Sequence, residues 1–406
     1  MEHKISFIHA ADLHLDSPFK GLSIANETIL QEVRQSTFHA LDHLVEAAIK
    51  RKVDFVVLVG DLFDNDKPSL KAQIKLRHAF ELLAQHDIKV YLSYGNHDYI
   101  KGNIFPITYP ENVYVFPDEQ VRTFIFEKDN IELASVTGFS YENRAVIERK
   151  AEEFTVNNSN IPFRIAMLHG SIESNTEHDL YAPFLLRDLI EKDFHYWALG
   201  HIHKREVLKE NPTILYPGNI QGRNRKETGE KGCYYVEMTS LGTSTEFIPL
   251  QAIQFTNIEL DVSDCEQIHD FVAELKNNLI QNHSYVPQLI DLSLTSGQDN
   301  LFIWKNEHLL EEIIGVVNEE LSYQRNWLYV FRLTTKQRNR QNNIIMGEHF
   351  IGELMKNVDD VSISDYIGEL FQHREARKYL DSLTKEEEEE IKLDAYQFLA
   401  YELQKM

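Results

Sequence analysis

Five times in this chain an apolar run of strand length stops on a side chain able to ligate a metal, and that repetition limits the folds open to it. Ile5 to Ala10 leads into Asp12-Leu13-His14, and Val53 to Val59 into Gly60-Asp61. Lys89 to Tyr94 leads into Gly95-Asn96-His97-Asp98, Phe163 to Leu168 into His169-Gly170, and Tyr196 to Leu199 into Gly200-His201-Ile202-His203. The run from Val53 to Val59 is apolar almost throughout and rich in β-branched residues, as suits a strand buried on both faces. Gly60 then lets the backbone turn sharply, so that Asp61 arrives at the strand's carboxyl end, where open α/β sheets collect their ligands. A turn aspartate or a packed histidine accounts for any one such end. Five in order, all tipped with Asp, Asn or His, are hard to assign to packing.

The stretches between the first three runs read as helices. Leu30, Val33, Leu41, Leu44, Val45 and Ala48 recur at three- and four-residue steps, predicting a helix over 27–50 with one stripe on a sheet. His39 and His43 lie on it without acidic or cysteine partners and read as surface or packing histidines. A second amphipathic helix is predicted over 69–86, capped by Ser69. Strand, helix, strand, helix, strand implies parallel pairing with crossover helices.

From Asn112 the texture changes to short strands at 112–116, 121–126 and 131–136, with Asp129-Asn130 as a hairpin turn; they read as a second sheet packed on the first. A helix is expected over 142–154, and further strands at 214–218 and 232–238. The first domain is expected to span 1–254. Strands at 255–262, 287–294 and 327–334, alternating with helices at 264–282 and 307–321, make a small β-α-β-α-β domain over 255–337. The remainder, 338–406, is charged and helix-prone, with apolar side chains such as Phe350, Leu370 and Phe398 spaced to cover a partner's helix. Glu386 to Glu390 is most simply a solvated helix face.

The chain of 406 residues is long enough for two or three domains. Its net charge of -23 argues against a protein that grips nucleic acid over a broad basic surface. Any such contact must be local, metal-assisted or supplied by a partner. Cys233 and Cys265 form neither a CxxC pair nor a disulfide framework, so a reducing cytoplasm is the default. No apolar run nears the roughly 20 residues that span a bilayer, and the amino terminus lacks the pattern of a signal peptide.

Asp12, His14, Asp61, Asn96, His169, His201 and His203 fit a two-ion site with Asp61 shared between the ions. Two imidazoles one residue apart at a strand end suit two adjacent ions better than one. Oxygen and nitrogen donors without thiolate favour manganese, iron or zinc over magnesium. Paired ions about 4 Å apart bind a phosphate oxygen and lower the pKa of a water, so the reaction class is phosphoester hydrolysis. His97 completes neither ligand set; its expected role is to protonate the leaving oxygen, with Asp64 orienting its ring.

Asp12-Leu13-His14, Gly60-Asp61-Leu62-Phe63-Asp64, Gly95-Asn96-His97-Asp98, His169 and Gly200-His201-Ile202-His203 together resemble the five signatures of the calcineurin-like metallophosphoesterases. His9 to Phe19, Met167 to Ser171, Gly200 to Lys204 and Tyr216 to Arg223 are most similar to the SbcD-type DNA repair nucleases, in particular their YhaO-like bacterial branch. The resemblance covers about residues 5 to 240. It implies a four-layer α/β/β/α core, a small α/β cap domain, a helical carboxy-terminal segment, two manganese ions, and exonuclease or endonuclease action on DNA. It also implies docking on a coiled-coil ABC-type ATPase of the SbcC or YhaN kind, and dimerisation through an apolar face near the helix beginning at Ser69.

Tyr99 departs from the small residue common after this motif, and either stacks on a base or packs. Lys204, Arg205, Arg223, Arg225 and Lys226 form the basic cluster nearest the ligands in sequence, suited to holding a phosphate backbone. Glu206, Glu210, Glu227 and Glu230 interrupt it, so a mixed-charge loop is the alternative. A phosphatase or phosphodiesterase acting on a small molecule or phosphoprotein is the rival function. Against it, Asn65-Asp66 stands where the family's serine/threonine phosphatases carry an arginine. An interaction protein with a vestigial site is disfavoured by the full set of ligands.

Overall fold

The computed structural model describes residues 3–19, 22, 24, 26–65, 67–102, 106–156, 158–173 and 181–337, with 361–373 and scattered positions from 383 to 395. Two compact units form. The first takes in Met1–Ser17, Gln31–Gly222 and Gly229–Gln254; the second takes in Pro18–Leu30, Arg223–Thr228 and the chain from Phe255 onward.

The first unit begins with β1 (Lys4–Ala10), α1 (Glu27–Arg51), β2 (Phe55–Val59), α2 (Leu70–Ala84), β3 (Lys89–Ser93) and β4 (Val113–Val115). These four strands pair in parallel. Ser69 caps α2 as its sequence predicts, its Oγ accepting from the Ala72 N–H at 3.1 Å. On α2, Leu70 and Ile74 point their apolar side chains to solvent. β4 belongs to this first sheet, and not to the second sheet that its texture suggests. The Val90 N–H donates to the Asn112 carbonyl, while the Asn112 amide donates to Phe80 and Ile88, so the segment is held at the edge of β3.

β5 (Arg122–Lys128), β6 (Ile131–Gly138), β7 (Phe163–His169), α3 (Leu186–Ile190), β8 (Tyr196–Gly200), β9 (Glu206–Lys209), β10 (Thr213–Tyr216), β11 (Gly232–Thr239) and β12 (Gly242–Pro249) follow. The turn between β5 and β6 has positive φ at both Asp129 and Asn130, the tight hairpin expected of that pair. Strand order is β12-β11-β1-β2-β3-β4 in one sheet and β5-β6-β7-β8-β10-β9 in the other.

Alternation along each strand divides the side chains between layers. Phe7, Phe55, Val57 and Tyr91 of the first sheet pack against Phe163, Ile165, Met167 and Tyr196 of the second in one buried cluster. Ile8, Val56, Leu58 and Leu92 face the other way and pack on α1 and α2 through Leu41, Leu44, Leu76 and Phe80. Trp197, Leu199 and Ala166 form the outer face of the second sheet, covered by Phe154, Phe184 and Leu189. The layers are α/β/β/α, but the last is thin.

The helix predicted over 142–154 is absent except for a 3-10 turn at Lys150–Glu153. Its backbone is committed elsewhere: Tyr141 N–H donates to Tyr94, Ile100 and Lys101 donate to Tyr141 and Glu142, and Ala182 donates to Val146. Those cross-links hold the segment against the loop after β3.

In the second unit, β13 (Gln254–Asp261), β14 (Gln288–Ser296) and β15 (Leu328–Gln337) form a three-stranded sheet, β14 and β15 parallel. α4 (Ile268–Gln281), α5 (Asn300–Asn306) and α6 (Leu309–Ser322) supply Phe271, Leu275, Trp304 and Val317 to its core. One helix was predicted over 307–321; the structure adds α5 ahead of it, broken from α6 at His308, whose φ of 60° cannot continue a helix. The helical carboxy-terminal segment expected over 338–406 lies largely outside the described residues. Cys233 and Cys265 are buried free thiols. Among the described residues no helix is long and apolar enough to cross a membrane.

Candidate metal centre

The carboxyl ends of β1, β2, β3, β7 and β8 meet, and the seven side chains named from the sequence meet with them. Two groups have their ligating atoms within 4.8 Å of one another: Asp12, His14 and His203, and Asp61, His169 and His201. Asp61 faces both. Its Oδ2 lies 3.8 Å from His14 Nε2 and 3.5 Å from His169 Nε2, and its Oδ1 accepts from the His97 N–H at 2.9 Å. Asn96 Oδ1 lies 3.0 Å from His169 Nε2 and 3.1 Å from His201 Nδ1. Asn96 therefore joins the second group.

Local sequence explains the approach. His169 continues the inward positions Phe163, Ile165 and Met167, so its ring points at the first sheet. Glycine clears the space it enters. A Cβ on Gly95 would stand 2.7 Å from His169 Nε2, one on Gly200 would stand 3.0 Å from its Nδ1, and one on Gly60 would strike the same ring. Gly60 also has φ +73°, open to glycine at little cost.

The donor set fits divalent cations. His169 Nδ1 lies 3.0 Å from the Val59 carbonyl, so it carries the proton and Nε2 is the atom turned toward Asp61 and Asn96. That is the outer hydrogen bond a ligating histidine needs. His14 and His203 present Nε2 atoms to each other at 3.0 Å. The carboxylates are fully buried, and their environment demands positive charge. Burial pushes Asp12 up to about 6, against the pull of His203 and His169. Burial acts the same way on Asp61, but His169, His97 and His14 outweigh it and hold the carboxyl well below its usual range. Burial disfavours protonation of His169, yet the charge of Asp61 lifts it to about 9. A proton shared in this way is the least that can balance two buried carboxylates; divalent ions balance them better.

His97 sits at the rim, half-buried, its ring 5.0 Å from that of His14. Asp64 meets it through the main chain. His97 Nδ1 donates to the main-chain carbonyl of Asp64 at 2.9 Å, whereas the Asp64 carboxylate lies 3.6 Å from His14 Nδ1. The backbone turn after Asp61 brings that carbonyl to the ring first.

Of the substrate-binding residues named from sequence, Tyr99 and Lys204 belong to the first unit and Arg223 and Arg225 to the second. Tyr99 packs against the buried cluster of Phe139, Tyr141 and Trp197, so its ring is taken up in packing. Arg223 and Arg225 lie in the second unit, where Arg225 pairs with Glu387 at 2.8 Å and Asp291 at 3.9 Å, and Arg223 with Glu227 at 3.8 Å. Carboxylates of the same unit thus answer their charge. Lys204 is exposed directly after His203, and the Arg205 guanidinium lies over the Phe247 ring at 3.8 Å.

Several supporting residues carry little signal in the sequence. Asp98 is buried, and its carboxylate accepts from Leu62 N–H at 2.6 Å and Gly95 N–H at 2.7 Å, stapling the Asp61 loop to the Asn96 loop. Its place at the end of Gly-Asn-His-Asp was the only signal. The Tyr141 and Tyr216 hydroxyls donate to the carbonyls of His169 and Gly170 at 2.8 and 2.7 Å. Nothing in their local sequence announces this, because the partners are remote in the chain.

A calcineurin-like phosphoesterase family model matches residues 5–205. The chain is 36% identical to the uncharacterized metallophosphoesterase YhaO of Bacillus subtilis, over 98% of each chain. It is 28% identical to the DNA double-strand break repair protein Mre11 of Methanocaldococcus jannaschii, over 64% of this chain and 66% of that one. It is 22% identical to one of the subunits of the nuclease SbcCD of Staphylococcus epidermidis, over 91% of this chain and 97% of that one. The family and the geometry agree, and the chain belongs to the calcineurin-like metallophosphoesterases, metal-dependent hydrolases of phosphoester bonds.

Proposed function

We propose that this chain is a two-metal DNA nuclease that works with a coiled-coil ABC-type ATPase. The observation that carries the reading is the meeting of the two ligand groups about Asp61. The DNA repair and nuclease names of its relatives supply the substrate class, and the designation of one of them as part of a larger nuclease supports a partner. Asp12, His14, Asp61 and His203 would hold one ion, and Asp61, Asn96, His169 and His201 the other. When bound, two divalent ions, here manganese, supply charge against the phosphoryl oxygens and lower the pKa of a water.

The chain's own residues do the rest. Asp61 presents one carboxylate to both groups and takes the His97 N–H on its Oδ1, which fixes the His97 backbone beside it. The Asp64 carbonyl holds the proton on His97 Nδ1, so Nε2 is the atom that carries the transferable proton. His97 as imidazolium gives that proton to the leaving oxygen as the P–O bond breaks. Leu70 and Ile74 on α2 support a homodimer through that face.

With a net charge of -23, DNA binding by the chain alone is expected to be weak and lost with rising salt. The test is a manganese-dependent assay of linear duplex DNA beside cyclic nucleotides and a generic phosphodiester, repeated with the ATPase. Cleavage of DNA, enhanced by the ATPase, is expected. Turnover of cyclic nucleotides or phosphomonoesters with DNA left intact would refute the reading and favour a small-molecule phosphodiesterase.

A further inference from the structure

The two sheets approach one another at the metal centre, and each ligand group draws on both. For the Asp61 group, the tie across the sheets is the bond from His169 Nδ1, at the end of β7, to the Val59 carbonyl at the end of β2. For the other group, Asp12 and His14 follow β1, while His203 follows β8 in the opposite sheet. Its counterpart tie runs through Lys231. The Lys231 Nζ donates to the His203 carbonyl at 3.1 Å, and that carbonyl also accepts from the Asn219 N–H at 3.4 Å.

Lys231 is placed to act as a post. It stands immediately before β11, the strand paired antiparallel with β1 in the register His9 with Tyr234. Its backbone is fixed on both sides. Its N–H donates to the buried Gln251 side chain at 3.1 Å, and its carbonyl accepts from Leu250 at 2.8 Å and Gln251 at 3.2 Å. The residue is only 8% exposed, and its ammonium is spent on a main-chain carbonyl. Desolvating that charge is costly, and a charged donor makes a stronger hydrogen bond than a neutral one. A neutral residue would serve if filling space were the only need.

We infer that Lys231 is a positioning residue for the Asp12, His14 and His203 half of the metal centre, holding His203 against His14 by grasping its main-chain carbonyl. The inference rests on the dinuclear reading above. Outer-sphere partners of this kind change metal affinity by about 10- to 100-fold when removed. The effect is confined to one site of the two, because the Asp61 group has its own tie at Val59.

The test is titration of the ion-free full chain with Mn2+ alone, followed by calorimetry and by electron paramagnetic resonance. Wild type is expected to take up two ions and to show an exchange-coupled pair. Lys231→Met should weaken one binding step about 10- to 100-fold, leave the other within about threefold, and replace the coupled spectrum with that of a single ion at intermediate Mn2+. Lys231→Gln, which keeps a polar head but, being shorter, withdraws the donor, is carried in parallel and should lose the same step. Lys231→Arg, which restores a charged donor, should recover part of it. Equal weakening of both steps in folded variants, or no change in either, would overturn the assignment. Uptake of fewer than two ions by the wild type would instead overturn the dinuclear reading on which it rests.

Discussion

Asp98→Asn isolates the staple between the two central ligand loops. The carboxylate accepts one main-chain N–H from each loop, Leu62 at 2.6 Å and Gly95 at 2.7 Å. An asparagine fits the same space but keeps one acceptor; its amide nitrogen must face the other N–H, donor against donor. The change therefore removes a charge-assisted bond, about 1.5–3 kcal/mol, and leaves a buried N–H unsatisfied, about 1–3 kcal/mol. A loss of about 3–5 kcal/mol follows, which in a unit of this size lowers Tm by roughly 10 °C. The measurement is calorimetric unfolding at pH 8, because burial pushes Asp98 up to about 7 and the carboxylate is ionised above that value. Mn2+ titration of the same samples should show weaker uptake, since Asp61 and Asn96 sit in the two released loops. A Tm within about 2 °C of wild type with unaltered Mn2+ uptake would refute this account.

Gly95→Ala tests the cleared space. Its Cβ would stand 2.7 Å from His169 Nε2 and strike Asp61 Oδ1, so Mn2+ uptake should fall at least tenfold while Tm drops by only a few degrees. Asp64→Asn keeps the carbonyl that holds His97 Nδ1, so the His97 Nδ1 proton resonance should persist unshifted, and its disappearance would return the orienting role to the carboxylate. His9 governs an acid limb of stability. Burial pushes it down to about 3, with Tyr196 donating to Nδ1 and Nε2 donating to the Leu199 carbonyl. The unfolded chain takes up this proton near pH 6.5 and the folded chain does not, so stability is full above 6.5 and falls as pH drops toward 3. By pH 4 the loss is about 3 kcal/mol, and His9→Gln, though less stable at neutral pH, should show a shallower decline in denaturant midpoints between pH 6.5 and 4.

Much of the centre was legible because its chemistry is written at strand ends, where a run of apolar residues must stop and a polar side chain must follow. The seven candidate ligands, the Ser69 cap and the Asp129-Asn130 turn all have signals within a few residues of themselves. The features without a local signal depend on distant partners. Glu142 to Phe154 has helix-compatible composition, but its backbone groups are taken by the loop after β3 and by Ala182. Arg223 and Arg225 stand near the ligands in sequence, and the ion pairs they make with Glu227, Asp291 and Glu387 in the second unit have no local signal for the distant partners. Lys231 and Asp98 both bond to main-chain atoms, and of the two only Asp98 has a local signal, its place at the end of Gly-Asn-His-Asp.

The backbone of the ligands is itself strained. Asp12, His14, Asp61 and His201 have φ of 53°, 43°, 51° and 95°, where a Cβ crowds the following carbonyl at a cost of about 1–2 kcal/mol each. No single ligand can relax, because its neighbours hold it. Asp12 N–H donates to Gly60, His14 to Asp61 and Leu15 to Leu62, so the loops after β1 and β2 are zipped together. The His201 N–H in turn donates to both oxygens of Asp12 at 3.1 Å, which joins the loop after β8 to that pair. Strain at one ligand is thus borne by hydrogen bonds to the next, and the loops that carry the ligands are tied to one another. That is why substitution of Asp98 or Lys231 is expected to reach the ions although neither belongs to the ligand set: Asp98 ties the Asp61 loop to the Asn96 loop, and Lys231 holds the backbone of His203.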